Sequence, residues 1–218
     1  MRVLVVGLGS FGFWFARTMV EMEHEVIAIE QDETLVDRYA EWLTRAIVGD
    51  GTDPNLLERV GAGEVDAAII ATGEDLSTTI MSFMALRDLG VEEVFAKARS
   101  QNAQRALLRL GVTEAVFPER DAGSRLAHRI VSKAVLDYIP LAEGYSLQEI
   151  AVPKSWTGRT LIELAARRTH EIQIVGVRDS LTGTLRVPPR PTDTLKPSDS
   201  MLLAGADDAL EQIRSASR

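Results

Sequence analysis

The sequence predicts an α/β protein: a Rossmann-type doubly wound parallel sheet followed by a small α+β domain. Three observations carry this. Six short apolar runs alternate with helix-spaced stretches through the first two thirds of the 218 residues. A Gly-x-Gly-x-x-Gly loop, Gly7 to Gly12, directly follows the first run. Beyond residue 141 the rhythm gives way to alternating strands and a proline-rich loop.

The runs are Val3–Val6, Val26–Ile29, Ala46–Val48, Ala67–Ala71, Val94–Ala96 and Ala115–Phe117. Continuously apolar strands separated by helices belong to a parallel sheet covered on both faces. Helical spacing fills Asp32–Leu43, Leu76–Leu89 and Asn102–Leu110. A sixth strand closes such a sheet. Arg120–Tyr138 then reads as one long helix, with Leu126, Ile130, Val131, Ala134 and Val135 on one face, Arg125, Arg129 and Lys133 on another, and Pro140 as its stop. It is either a core-docked final helix or a dimer or interdomain connector. The domains are therefore taken as residues 1–140 and 141–218.

In the second domain Tyr145–Val152 alternates as a strand and Thr160–Arg168 is helical. Ile172–Val177 and Thr184–Val187 flank the turn signal Asp179–Gly183. Pro188, Pro189, Pro191 and Pro197 stiffen a loop before the strand Asp199–Ala204 and the short helix Asp207–Ile213.

Composition narrows the function classes. Hydrophobic residues at 45% and charged residues at 26% fit a globular chain and exclude disorder, collagen or coiled coil as the main state. With no cysteine there is no disulfide, thiol nucleophile or zinc–thiolate centre. The net charge of -8 falls entirely on residues 1–140, which makes nucleic acid a poor partner. The N-terminus lacks a signal peptide's cleavage site, and no run of 18 apolar residues spans a membrane, so a cytoplasmic protein is expected.

The glycine loop sits where a dinucleotide fold needs it. Gly7 permits the tight turn, Gly9 lets a pyrophosphate approach the backbone, and Gly12 lets helix and strand pack closely. Helix amides and dipole favour phosphate there. Glu30 ends the second strand, 18 residues after Gly12. Its carboxylate suits both ribose hydroxyls and repels a 2′-phosphate, which leaves adenosine nucleotides and NAD over NADP. The plainer reading is a solvated acid at a strand end. Gly49-Asp50-Gly51-Thr52-Asp53 and Thr72-Gly73-Glu74-Asp75 follow the third and fourth strands. Asp50 is either an acceptor for an adenine amino group or part of a helix cap, with Thr52 or Asp53 as the cap residue. Lys97 and Arg99 end the fifth strand and offset phosphate charge; Arg99 also reads as a surface residue.

VLVVGLGSFG, HEVIAIEQD, VGDGTDPNLLERVGAGEVDAAIIATGED, FAKARSQNAQRALLRLGVTEAVFPERDAG and TDTLKPSDSMLLAG, in that order and over nearly the whole chain, resemble the RCK family of potassium-conductance regulators, specifically the Trk/Ktr regulatory subunits. The resemblance implies an RCK nucleotide-binding domain followed by a TrkA-C-like domain. It implies homodimers assembling into a homo-octameric ring beneath a membrane potassium-translocating subunit, with ATP, ADP or NAD(H) biasing the ring between states. It places ribose recognition on Glu30, adenine contacts on Asp50, Gly51 and Thr52, and the phosphate side on Gly9, Ser10, Phe11, Thr72, Gly73 and Lys97. It places a divalent cation, magnesium or calcium, on Glu119. That residue also reads as a helix N-terminal acid. Some relatives bind cyclic di-AMP at the C-terminal domain, where Arg167 and Pro189 are the counterparts.

Two departures stand out. Ser10 replaces the arginine of many ATP-responsive members, which removes a strong phosphate partner. Phe13 and Trp14 are bulkier than usual: both are core, or Trp14 faces a partner subunit while Phe11 and Phe15 fill the inner helical face. The rival class is an NAD-dependent oxidoreductase. It lacks support here, because no Tyr is followed four residues later by Lys, and His24, His128 and His170 are scattered.

Overall fold

The computed structural model describes residues 1–72, 75–131 and 135–215. It divides into two units, Met1–Arg120 and Asp121–Arg218.

In the first unit the six expected strands form: β1 (Arg2–Val6), β2 (Glu25–Glu30), β3 (Arg45–Val48), β4 (Ala67–Ile70), β5 (Val94–Lys97) and β6 (Glu114–Val116). They pair in parallel in the order β3-β2-β1-β4-β5-β6, the doubly wound order with its switch between β1 and β4. Five helices connect them: α1 (Ser10–Glu21), α2 (Glu33–Tyr39), α3 (Pro54–Val60), α4 (Leu76–Asp88) and α5 (Gln101–Leu110).

Alternate strand residues serve opposite faces. Leu4, Val6, Ile27 and Ile29 pack with Leu57, Phe83, Leu86 and Leu107 of α3, α4 and α5. Val3, Val5, Val26 and Ala28 pack with Ala16 and the partly buried Phe11 and Phe15 of α1. Phe11 and Phe15 thus fill the inner face of α1 as expected. Phe13 is core and stacks on Tyr39 at 3.8 Å between ring centroids. Trp14 instead stays 60% exposed, with the Arg17 guanidinium over its ring and over that of Trp42.

Helix starts follow local capping chemistry. The carboxylates of Asp32, Asp53 and Asp75 accept from the amides of Thr34, Asn55 and Ser77, two residues on in each case. Asp53, not Thr52, therefore caps α3. α6 (Pro118–Val131) then runs across the division between the units.

In the second unit β7 (Val135–Ala142), β8 (Tyr145–Ala151), β9 (Gln173–Asp179), β10 (Leu185–Arg186) and β11 (Asp199–Ala206) form an antiparallel sheet in the order β10-β9-β11-β8-β7. Short helices α7 (Leu161–Leu164) and α8 (Ala166–Thr169) precede β9, and α9 (Asp207–Ser215) follows β11. Ile150, Trp156, Leu164, Met201, Leu203 and Leu210 centre the core.

β7 corrects the expected helix over 120–138. Residues 135–142 are a strand, joined to β8 through Glu143-Gly144, with Gly144 at φ +74°. Pro140 is no helix stop; it lies in the edge strand, in register with Ser146 and next to a register shift, the kind of position where a sheet tolerates proline. Ala134 and Lys133 of the expected helix lie outside the described residues. Among the described residues no helix is long and apolar enough to cross a membrane.

Candidate functional site

A cavity of about 500 Å³ opens at the carboxyl edge of the parallel sheet, at the β1–β4 switch point. Val6, Gly7 and Gly9 come to it from the glycine loop, Glu30 from β2, Asp50 and Gly51 from the β3–α3 loop, and Thr72 from the end of β4. Six residues singled out from the sequence (Gly7, Gly9, Glu30, Asp50, Gly51 and Thr72) therefore line one space.

The three loop glycines answer different demands. Gly7 holds φ +98°, and a Cβ there would stand 2.9 Å from the Thr72 backbone nitrogen. A Cβ on Gly12 would stand 2.0 Å from the Gly7 carbonyl oxygen, so this glycine is an internal packing requirement. Around Gly9 a Cβ meets no atom within 4 Å, although Gly9 lines the cavity. Its bareness serves whatever enters. Gly9→Ala is accordingly expected to keep the wild-type unfolding temperature while weakening nucleotide binding about tenfold or more, read by calorimetry on the same sample. A fall in unfolding temperature of several degrees would assign Gly9 a packing role instead.

α1 begins without a side-chain cap and with no acidic residue in its first turn. Ser10 is exposed there, Gly12 is buried behind the turn, and the Phe11 ring is turned into the core against Phe15. Phe11 can serve a phosphate only through its amide.

Glu30 is fastened before any ligand arrives. Its Oε2 accepts from the Leu8 amide of the glycine loop at 2.6 Å, and its Oε1 from the amides of Gln31 and Asp32 at 2.7 and 3.1 Å. Oε2 keeps a lone pair for a ribose hydroxyl, while the two amides take up both acceptor sites of Oε1. Asp50 is held similarly. Its Oδ1 accepts from the Thr52 amide and hydroxyl, both at 2.8 Å, and these bonds, with one from the Gln31 side chain, hold the carboxyl below the usual aspartate range. Thr52 thus acts on Asp50 and is not part of the cavity lining.

Lys97 stands elsewhere. It lines a second cavity of about 460 Å³ with Leu76, Thr79, Arg99, Ser100 and Leu107, and its ammonium meets Glu119 at 2.6 Å. The side chain of Lys97 is 14% exposed and that of Glu119 is 59% exposed. Hydrogen bonding to Lys97 is the main cause that pulls the Glu119 carboxyl below its ordinary range. A divalent cation on Glu119 would have to share or displace this ion pair. Glu119 offers one carboxylate, already neutralised, and among the described residues no cluster of three or more His, Asp or Glu side chains forms a metal set. Because the Glu119 carboxyl is depressed, the ion pair stabilises the fold above the unfolded glutamate pKa of about 4.3 and is lost as pH falls through the lower folded value. Glu119→Gln should therefore narrow the gap between neutral and acid stability, followed by circular dichroism from pH 7 to 3. An identical acid profile in both proteins would show that the pair contributes nothing.

Gly73 lies outside the described residues. In the second unit Arg167 is exposed in α8 and Pro189 follows the cis Val187–Pro188 bond. The sequence reading missed Gln31, Leu35, Thr78 and Ser82 in the lining of the large cavity. Thr78 and Ser82 lie on one side of α4, one turn apart, but nothing in their local sequence signals a site.

Residues 3–118 match the TrkA-N domain model and residues 147–217 the TrkA-C domain model. The chain belongs to the TrkA family. The Ktr system potassium uptake protein C of Bacillus subtilis is 35% identical over 202 residues, which is 93% of this chain and 90% of that protein. The Ktr system potassium uptake protein A of Vibrio alginolyticus is 29% identical over 94% of this chain and 93% of its own length. Among solved structures the GsuK channel superposes with a TM-score of 0.71 at 18% identity, over 99% of this chain and 39% of that one. The GsuK channel bound to NAD gives 0.67 at 16% identity, over 98% and 39%. In this TrkA-N domain the matched residues contain the whole glycine loop, Glu30, Asp50 and the large cavity.

Proposed function

We propose that this chain is the nucleotide-sensing regulatory subunit of a potassium uptake system and not an enzyme. The observation that carries the reading is the convergence of Gly9, Glu30 and Asp50 on one cavity at the switch point, in a chain similar over nine tenths of its length to a Ktr uptake protein. The glycine loop receives the diphosphate, Glu30 the ribose and Asp50 the adenine amine of ATP, ADP or NAD(H). The functional division is residues 1–140 for sensing and 141–218 for the C-terminal domain, in a cytoplasmic homodimer that builds a homo-octameric ring under a membrane potassium-translocating subunit. Trp14 and Trp42, exposed around Arg17, are surfaces available to such assembly.

A ligand shifts an equilibrium between states only by its differential affinity for them. Purified protein is therefore expected to bind adenine nucleotide without consuming it, to show an octamer mass, and to give different scattering profiles with ATP and ADP. With its membrane subunit in uptake-deficient cells it should raise potassium uptake. Identical profiles with every nucleotide would overturn the switch. Steady nicotinamide turnover with hydroxy acids would overturn the regulatory reading.

A further inference from the structure

Two hydroxyls in the wall of the large cavity, Thr72 Oγ1 and Ser82 Oγ, are buried and have no hydrogen-bond partner among the described residues. Ser82 is wholly buried. A serine inside a helix ordinarily bonds to the carbonyl four residues back. Thr79 in the same helix does so, its Oγ1 donating to the Asp75 carbonyl at 3.2 Å, whereas Ser82 does not. An unmade buried hydroxyl is costly, and alanine is the better helix former. The folding of α4 therefore gives no reason for serine at this position.

The two hydroxyls have different neighbours. Thr72 adjoins the glycine loop, since a Cβ on Gly7 would touch its backbone. Around Ser82, the neighbouring Phe83 and Leu86 of α4 pack into the cluster that holds Val6 and Leu57. The β3–α3 loop lays Gly51 on the same Val6 side chain, where a Cβ would stand 2.1 Å from Val6 Cγ1. Ser82, Val6, Gly51 and Asp50 thus line the same cavity, with Val6 on the sheet face opposite α1.

We propose that Ser82 reads the purine: its Oγ donates to a ring nitrogen of adenine while the Asp50 carboxylate accepts from the exocyclic amine. This rests on the nucleotide-site reading above. A carboxylate only accepts, and adenine presents a donor amine beside acceptor ring nitrogens. Hypoxanthine turns a carbonyl toward the carboxylate and loses that pairing. A site with buried polar groups rejects the analogue that leaves them unpaired.

The test is calorimetry on the full chain with adenosine, ADP and inosine diphosphate, together with unfolding of the ligand-free protein. Ser82→Ala is expected to weaken adenosine and ADP by the same factor, about tenfold. It should leave the ligand-free unfolding temperature unchanged or higher. Thr72→Val is expected to weaken ADP and spare adenosine. If wild type and Ser82→Ala bind adenosine equally, the base-reading role is wrong and the nucleotide site stands. If Ser82→Ala lowers the ligand-free unfolding temperature, the hydroxyl is structural and the inference falls. If the wild type binds neither adenosine nor ADP, the nucleotide reading falls and takes this inference with it.

Discussion

Glu30→Ala is expected to weaken adenosine, AMP and ADP alike by about ten- to a hundredfold, read by calorimetry. A hydrogen bond to a charged group contributes about 1.5–3 kcal/mol, and Glu30 lines the cavity with a free lone pair on Oε2 for the ribose. The loss has a second source. The same carboxylate accepts from the Leu8 amide at 2.6 Å and so ties the glycine loop to β2. Truncation frees that amide and loosens the turn that presents the phosphate-binding backbone. The two sources separate in a second variant. Glu30→Gln keeps one acceptor oxygen, which suffices for the loop or for one ribose hydroxyl but not for both. Its loss should lie between wild type and alanine. Since adenosine carries the ribose without phosphate, a variant that lost ADP but kept adenosine would show that only the loop had been disturbed, and unchanged affinity for all three would remove Glu30 from the site.

Gly12→Ala should lower stability by about 3 kcal/mol or more. In a chain of this size that is a fall of about 10 °C in the unfolding temperature of the first unit. The clash is between backbone and a new methyl: the Cβ would stand 2.0 Å from the Gly7 oxygen and 3.0 Å from the Ala71 Cβ. Neither neighbour is the far end of a flexible side chain. Gly7 is held by its amide bond to the Ile29 carbonyl at 2.8 Å, so the turn cannot retreat without pulling on β2. Thermal unfolding by circular dichroism, compared with Gly9→Ala, checks this. Equal unfolding temperatures for the two variants would mean that the turn can shift and that the close packing of α1 on β1 is not essential.

The parallel sheet and the glycine loop were legible because both rest on local patterning. Continuous apolar runs have one stable use, a strand covered on both faces, and a glycine run between strand and helix has few others. Phe11 and Phe15 likewise followed from helical spacing. Residues 135–138 were misread as helix because their apolar positions also fit helical spacing and Pro140 reads as a helix stop. What settles the segment is its hairpin pairing with β8, which places the proline in an edge strand.

The site divides along the same line. Chain order alone brings Gly7, Gly9 and Glu30 together, since parallel strands put their carboxyl ends on one edge. The partners those groups take depend on angles no spacing encodes. Lys97 and Glu119 lie 22 residues apart, and only the parallel pairing of β5 with β6 shows that their side chains meet as an ion pair. Asp50 could be a cap or a ligand by sequence; the cap belongs to Asp53, and Thr52 holds Asp50 instead. Ser82 had no signal at all. A serine in the middle of a helix enters a site only through the rotation of that helix about its axis. Here that rotation is set by Phe83 and Leu86 packing against β1 and α3, a long-range contact that local sequence does not carry.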